Sequence, residues 1–122
     1  MTRLLAVAVG GALGSLARYG LNVWLTERLA SRFPWGILAA NTIGCLLIGV
    51  AYGLLLNHPQ RPFWAALCIT GFLGGFTTFS TFALDTVLAG RAGDWPVALG
   101  NIAASLVLGL AAAVLGLLLV RQ

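Results

Sequence analysis

Glycine, hydroxyl and aromatic residues alternate within one stretch, Gly71-Phe-Leu-Gly-Gly-Phe-Thr-Thr-Phe-Ser-Thr-Phe82, in the middle of an apolar segment. Glycine destabilises a helix interior by roughly 1 kcal/mol relative to alanine. Gly74-Gly75 followed by Thr77-Thr78 therefore predicts a break in a membrane helix. Backbone groups freed by such a break must be buried in protein or line a polar cavity. Broken membrane helices are typical of ion and substrate sites.

The phenylalanines of this stretch, Phe72, Phe76, Phe79 and Phe82, recur at intervals that place them on one face of an unbroken helix. A lipid-facing or core aromatic stripe would explain the phenylalanines alone. The glycines and hydroxyls between them favour an ion pathway. In such a pathway the ring edges, which carry the positive part of the ring quadrupole, suit an anion.

Polar residues in two other apolar segments extend this candidate site. Most buried amides and hydroxyls in membrane helices serve interhelical hydrogen bonding, because they need partners. Combined with the hydroxyls of the stretch above, however, they predict a continuous track of donors without a cation. Such a track suits a small hydrated anion, since conduction requires weak sites. The track comprises Asn41, Thr77, Thr78, Ser80, Thr81, Asn101 and Ser105.

Arg18 is the one charged residue well inside an apolar segment. An arginine at the bilayer centre costs about 2.5–3.5 kcal/mol on insertion scales, although near a helix end it can snorkel to the interface. Two interpretations stay open, an anion-attracting group at a vestibule mouth and a simple helix anchor.

The remaining reactive residues exclude several classes of protein. Cys45 and Cys68 fall inside apolar segments with no metal-ligand spacing, and His58 stands in a loop. No nucleophile–base pair is apparent, so an enzyme is not expected. The chain has seven arginines and three acidic residues, and the arginines form no basic cluster. Nucleic acid is therefore not an expected partner either.

Composition identifies an integral membrane protein. Of the 122 residues, 60% are hydrophobic and 8% are charged, against about 25% charged in soluble domains. Four apolar segments each exceed the ~20 residues needed to cross a bilayer. They predict a single four-helix transmembrane domain over residues 1–122, with helices at about 4–26, 35–57, 63–89 and 95–121. Tryptophans at the segment ends (Trp24, Trp35, Trp64 and Trp95) are typical of membrane interfaces.

The arginines predict no preferred orientation in the membrane. With four spans, Arg3, Arg61 and Arg121 lie on one side, while Arg28, Arg32 and Arg91 lie on the other. Because the two sides carry equal numbers of arginines, the positive-inside rule favours neither orientation. Either the segment limits hide a small bias, or copies insert both ways and pair antiparallel.

Small residues four positions apart predict close helix packing or a dimer interface, although this pattern is common in membrane helices. The pairs are Gly10 and Gly14, Gly49 and Gly53, Gly71 and Gly75, and Ser105 and Gly109.

Taken together, these motifs resemble the small bacterial fluoride channels of the Fluc, or CrcB, family. Gly10-Gly-Ala-Leu-Gly-Ser-Leu-Ala-Arg-Tyr19 is similar to the family's first-helix motif, and Asn41-Thr-Ile-Gly44 to its second. The stretch from Gly71 to Phe82 resembles its most specific signature, and Ser105-Leu-Val-Leu-Gly109 resembles its fourth helix. The resemblance covers essentially the whole chain.

The resemblance implies an antiparallel, dual-topology homodimer of all-α chains in the bacterial cell inner membrane, with a break in the third helix. It implies passive, fluoride-selective export that lowers the cellular concentration and toxicity of fluoride, with two pathways in each dimer. It also implies a structural sodium ion at the dimer interface, held by the backbone carbonyls of Gly74 and Thr77 from both copies.

The resemblance further assigns roles to single residues. Phe79 and Phe82 would coordinate fluoride by their ring edges, Asn41 would be a polar pore residue, and Arg18 would lie near the vestibule. The hydroxyl track would comprise Thr78, Ser80, Thr81 and Ser105. Asn101 stands where relatives can carry an aromatic residue, so its role is left open.

Two other classes of membrane protein fit the sequence less well. A small multidrug exporter also has four helices, but it relies on a membrane-embedded glutamate that the first apolar segment lacks. A structural subunit of a larger complex would explain the small-residue pairs but not the hydroxyl–phenylalanine break.

Overall fold

The structure is a computed structural model that describes residues 1–120. Arg121 and Gln122, and with them the predicted end of the last helix and one arginine of the orientation count, lie outside the described residues. The fold is all-helical. Four helical segments are long and apolar enough to cross a membrane, as the sequence predicted, and the chain is a multi-pass membrane protein.

The first two helices match their predicted positions closely. Helix α1 spans Thr2–Leu29 and ends where Ala30 adopts a left-handed conformation, with φ of 42°. Helix α1 is longer than the predicted 4–26, and Glu27 lies in its exposed last turn. Helix α2 spans Trp35–Leu55 and follows Pro34, whose ring favours a helix start.

The third span consists of two helices. Helix α3 begins with Arg61–Trp64, continues through the π-helical stretch Ala65–Leu73 and ends with the α-helical Gly74–Phe76. Helix α4 spans Phe79–Arg91 after a break of two residues. The break in the third span, predicted from sequence, is confirmed.

Helix α5 forms the fourth span, Trp95–Leu119. Its start is set by Asp94, whose Oδ1 accepts a hydrogen bond from the Val97 amide at 3.4 Å, and by Pro96 in the first turn. Asp94 also approaches Arg32 at 3.8 Å, an exposed ion pair of little energetic weight.

Glycines allow two pairs of helices to pack backbone to backbone. A Cβ atom on Gly10 or Gly14 of α1 would collide with the carbonyls of Leu67 or Phe72 in α3. A Cβ atom on Gly49 of α2 would likewise collide with the Ala113 carbonyl of α5. The predicted role of small residues in helix packing is therefore confirmed at these positions.

Outside these contacts the bundle presents an almost continuous apolar surface. Most leucines and valines of α1 and α5 are exposed, and so are the tryptophans near the helix ends. Such a surface is stable in lipid and unfavourable in water. The polar backbone and side-chain groups gather at the interruption between α3 and α4.

Candidate functional site

The interruption between α3 and α4 consists of two extended threonines. Thr77 has φ of −92° and ψ of 155°, and Thr78 has φ of −150° and ψ of 117°. β-branched side chains favour this conformation. Gly74-Gly75 followed by Thr77-Thr78 predicted this break, and within that stretch it falls at the threonines, because both glycines are helical.

Gly75 has a packing role that explains its identity. A Cβ atom at this position would stand 2.5 Å from the Gly11 carbonyl oxygen and 3.0 Å from Ser15 Oγ. The glycine therefore lets the last turn of α3 lie directly on α1. Gly74, by contrast, is exposed, and its nearest neighbour would lie 3.7 Å away.

Asn41 of α2 supplies the hydrogen bonds that the break removes. Its Oδ1 accepts from the Thr78 amide at 2.7 Å, and its Nδ2 donates to the Thr78 carbonyl at 3.0 Å. One amide side chain thus satisfies both backbone groups of the extended residue. Asn41 holds the break in place as well as lining the space beside it.

Two backbone carbonyls at the break lose the donors that a continuous helix would provide. In an α-helix the Gly74 carbonyl would accept from the Thr78 amide, and the Thr77 carbonyl from the Thr81 amide. Here the Thr78 amide donates to Asn41, and the Thr81 amide donates to Thr78 Oγ1 at 3.3 Å. The carbonyl oxygens of Gly74 and Thr77 are therefore free to accept a hydrogen bond or to coordinate a cation.

A cavity of about 350 Å³ opens beside the break, between α2, α3, α4 and α5. It brings together most of the residues singled out in the sequence. It also includes apolar residues that carry no sequence signal for a site, since Leu and Ile are common throughout the chain. The lining residues are Asn41, Gly44, Cys45, Ile48, Ile69, Leu73, Gly74, Thr77, Thr78, Phe79, Phe82, Ser105 and Leu106.

The four phenylalanines of the signature separate into two pairs. Phe72 and Phe76 stack at 5.8 Å between ring centroids on α3, whereas Phe79 and Phe82 pack at 5.5 Å with a tilt of 47° on α4. The second pair alone lines the cavity, and Phe79 is 78% exposed. The shared face expected for an unbroken helix is absent because the break redirects the chain.

Hydroxyl groups connect the cavity to a second groove on the far side of the break. Thr78 Oγ1 lies 3.1 Å from Thr81 Oγ1 and 3.3 Å from Ser80 Oγ. Thr81 in turn lines a groove of about 530 Å³ that also contains Asn22, Thr26 and Asp85. Thr81 thus lies outside the first cavity, and Ser80 is exposed beside it.

Ser105 and Asn101 of α5 have different surroundings although they lie one turn apart. Ser105 lines the cavity, and its buried Oγ has no hydrogen-bond partner among residues 1–120. Asn101 is 1% exposed, does not line the cavity, and donates from Nδ2 to Thr86 Oγ1 at 2.9 Å. Thr86 carried no signal in the sequence because an isolated threonine in a helix is common.

Arg18 does not line either space. It is half-buried on α1, one turn beyond Ser15, and makes no hydrogen bond or ion pair with any residue in the described part of the chain. Its predicted place near a vestibule stays a prediction.

The cavity lining combines two phenylalanine rings with the amide of Asn41 and the hydroxyls of Thr77, Thr78 and Ser105. No acidic side chain lines it. Within residues 1–120 no three His, Cys, Asp or Glu side chains are placed to hold a metal. Hard cations bind oxygen ligands, and the backbone carbonyls at the break are ligands of this kind.

Comparison with known proteins identifies the family of this chain. Residues 5–117 match the family described as CrcB-like protein, Camphor Resistance (CrcB). The fluoride-specific ion channel FluC of Acidobacterium capsulatum is 47% identical over 116 residues, which cover 94% of this chain and 93% of that protein. The FluC protein of Solibacter usitatus is 44% identical over 121 residues, covering 98% and 99%.

A third relative, the fluoride-specific ion channel FluC of Paracoccus denitrificans, is 50% identical over 113 residues, covering 93% of this chain and 90% of that protein. The similarity therefore includes all four spans and the break between α3 and α4. On this match the chain belongs to the CrcB-like family of membrane proteins.

Proposed function

We propose that this chain forms a fluoride-selective ion channel that lets fluoride leave the bacterial cytoplasm by passive diffusion through the cell inner membrane. Its activity is conduction, without a catalysed reaction. The cavity beside the Thr77–Thr78 break is the observation that carries this proposal. It places two phenylalanine rings, an amide and several hydroxyls around one space. The relatives named fluoride-specific ion channels support fluoride as the ion.

The chemistry of the lining favours fluoride over larger halides. Fluoride is small, strongly hydrated and a good hydrogen-bond acceptor, so hydroxyl donors can replace part of its hydration shell. Ring edges of Phe79 and Phe82 add weak electropositive contacts, which hold an anion without trapping it. Along this path, Asn41, Thr78, Ser80, Thr81 and Ser105 are the polar groups, and Arg18 attracts anions at the vestibule.

The functional unit is an antiparallel, dual-topology homodimer in this proposal. Gly74 and Phe79, which stand on either side of the break, lie on the outer surface of one chain, and Ser80 is exposed beside them. Unpaired backbone groups at membrane depth are unstable against lipid. A second copy would cover them, and the balance of arginines on the two sides of the membrane is compatible with insertion in both orientations.

The freed carbonyls at the break fit a structural sodium ion between the two copies. Hard cations prefer oxygen ligands, and the carbonyl end of a helix carries negative partial charge. The Gly74 and Thr77 carbonyls of both chains would hold the ion. When bound, sodium supplies positive charge that favours an anion nearby.

Liposomes that contain only this protein test the proposal. Fluoride efflux and chloride efflux are recorded with ion-selective electrodes from the same preparation, with protein-free liposomes as the control. The expected result is rapid loss of fluoride while chloride is retained. Well-folded protein that releases neither ion, or releases both at similar rates, would overturn it.

A further inference from the structure

Asn101 is the largest fully buried side chain in the described part of the molecule, at 1% exposure. It lies in α5, whose other faces are mostly leucine, valine and alanine. Burying an amide away from water is unfavourable unless the amide makes hydrogen bonds. A hydrogen-bond partner is therefore needed to offset the cost of burying the Asn101 amide in the core of the bundle.

Two hydrogen bonds link Asn101 through Thr86 to the backbone of Phe82. We call this connection from Asn101 through Thr86 to the Phe82 carbonyl the relay. Asn101 Nδ2 donates to Thr86 Oγ1 at 2.9 Å, and Thr86 Oγ1 donates to the Phe82 carbonyl at 2.8 Å. A threonine hydroxyl has a single proton. Since that proton points to Phe82, the hydroxyl oxygen is free to accept from Asn101, and both bonds run in one direction.

Helix α4 has few tertiary interactions apart from those with α5. None of its residues is fully buried, and it packs mainly on α5, with slight contact to α2. Within residues 1–120, Asn101 to Thr86 is the one hydrogen bond between side chains of α4 and α5. In lipid, helices associate by packing and hydrogen bonds, without a hydrophobic driving force.

Direct contact between Asn101 and a conducted anion does not fit the geometry. Asn101 lies outside the cavity that Phe82 lines. Its remaining atom, Oδ1, is buried without a partner among the described residues and is an acceptor, which an anion avoids. The side chain therefore acts on the pathway through Thr86.

We infer that Asn101 is a positioning residue, which through Thr86 fixes the turn of α4 that carries the Phe82 ring. This inference rests on the proposed function for its effect on flux, but its effect on ring position is independent of which ion passes. Removing either member of the relay would let α4 shift on α5 and move the ring.

The test compares four variants of the full chain in liposomes: Asn101→Leu, Thr86→Val, the double variant and Thr86→Ser. Each of the first three removes the relay while keeping the branching and the number of heavy atoms of each side chain, whereas serine keeps the hydroxyl. Thr70→Val, at an exposed position of α3, is the matched control for loss of a threonine hydroxyl. Dimer content is checked by size-exclusion chromatography before each measurement.

Fluoride flux is the first readout. Asn101→Leu and Thr86→Val are expected to slow flux by roughly fivefold or more. The double variant should lie within about twofold of the slower single variant, because both remove the same relay. Thr86→Ser and Thr70→Val should conduct as the wild type does. Normal flux in Asn101→Leu, or fully additive losses in the double variant, would overturn the inference.

The second readout is the ¹⁹F chemical shift of fluorophenylalanine placed at position 82, with the same label at position 63 as a reference far from the relay. The relay variants should share one displaced shift at position 82 and leave position 63 unchanged, and serine should restore the wild-type value. If wild-type protein fails to conduct fluoride, the proposed function falls. The shifts then decide the inference alone, and an unmoved resonance at position 82 overturns it.

Discussion

Asn41 combines two hydrogen bonds that hold the break with a place in the lining of the cavity. A polar residue in the second span was expected to face a pore, and it does line the cavity. Its amide, however, also replaces both backbone hydrogen bonds of Thr78. The sequence indicated a polar contact here but not its partner, because residues 37 positions apart meet only in the folded bundle.

Replacing Asn41 tests this double role. Asn41→Leu would leave the amide and carbonyl of Thr78 without partners, and a buried unsatisfied group costs about 1–3 kcal/mol. We expect a lower thermal unfolding midpoint together with slower fluoride flux. Thermal unfolding in detergent and efflux from liposomes are the measurements, with the exposed loop variant Asn57→Ala as control. Slower flux at an unchanged midpoint would contradict the structural part of this role.

The glycines of the signature show where composition alone misleads. Glycine is a weak helix former, so Gly74-Gly75 predicted part of the break. In the fold both residues are helical, and the extended residues are the two threonines that follow. Gly75 is glycine because α1 lies against it, a constraint that depends on the neighbouring helix and cannot be seen in the local sequence.

Helix α3 packs on α1 with backbone against backbone at the glycines of both helices. Gly10 and Gly14 of α1 face the backbone of α3, and Gly75 faces Gly11. The π-helical stretch Ala65–Leu73 contains Leu67 and Phe72, whose backbone Gly10 and Gly14 face. A π-helix has more residues per turn than an α-helix. This stretch therefore changes the direction around the helix axis in which Gly71 and Gly75 face α1. Nothing in the residues of this stretch predicted a π-helix, since its hydrophobic pattern also suits an α-helix.

A pair of alanine substitutions tests this packing. Gly75→Ala places a Cβ atom 2.5 Å from the Gly11 carbonyl oxygen, so α1 must move, at a cost of about 1–3 kcal/mol. Gly20→Ala meets nothing within 4 Å and should be neutral or stabilising by up to ~1 kcal/mol. The thermal unfolding midpoints of the two variants are compared. Equal midpoints would mean that α1 and α3 do not pack as described.

The molecule as a whole combines an apolar exterior with one polar interruption. The four spans and their approximate limits were predictable, because long apolar runs and terminal tryptophans mark them directly. The pairing of α1 with α3 and of α2 with α5 was not, since small-residue pairs occur on every helix. A second copy is required in the proposed function because the interruption opens on the outside of a single chain.

Dual topology can be tested by biasing the charge. Two lysines added to the loop between α2 and α3 should bring that loop to the cytoplasmic side, since positive charge is retained there. Two lysines in the loop between α1 and α2 should produce the opposite orientation. Each variant expressed alone should lose fluoride resistance in cells, and co-expression of both should restore it. Resistance from either variant alone would exclude an antiparallel pair.

The claim that fluoride crosses beside Phe79 and Phe82 is tested most directly by efflux through Phe79→Ile and Phe82→Ile dimers. Isoleucine keeps an apolar side chain but removes the electropositive ring edge. With wild-type protein in parallel liposomes, we predict that both variants form dimers and that fluoride efflux falls to near the protein-free rate. Wild-type fluoride efflux through both variants would show that the ion takes another route.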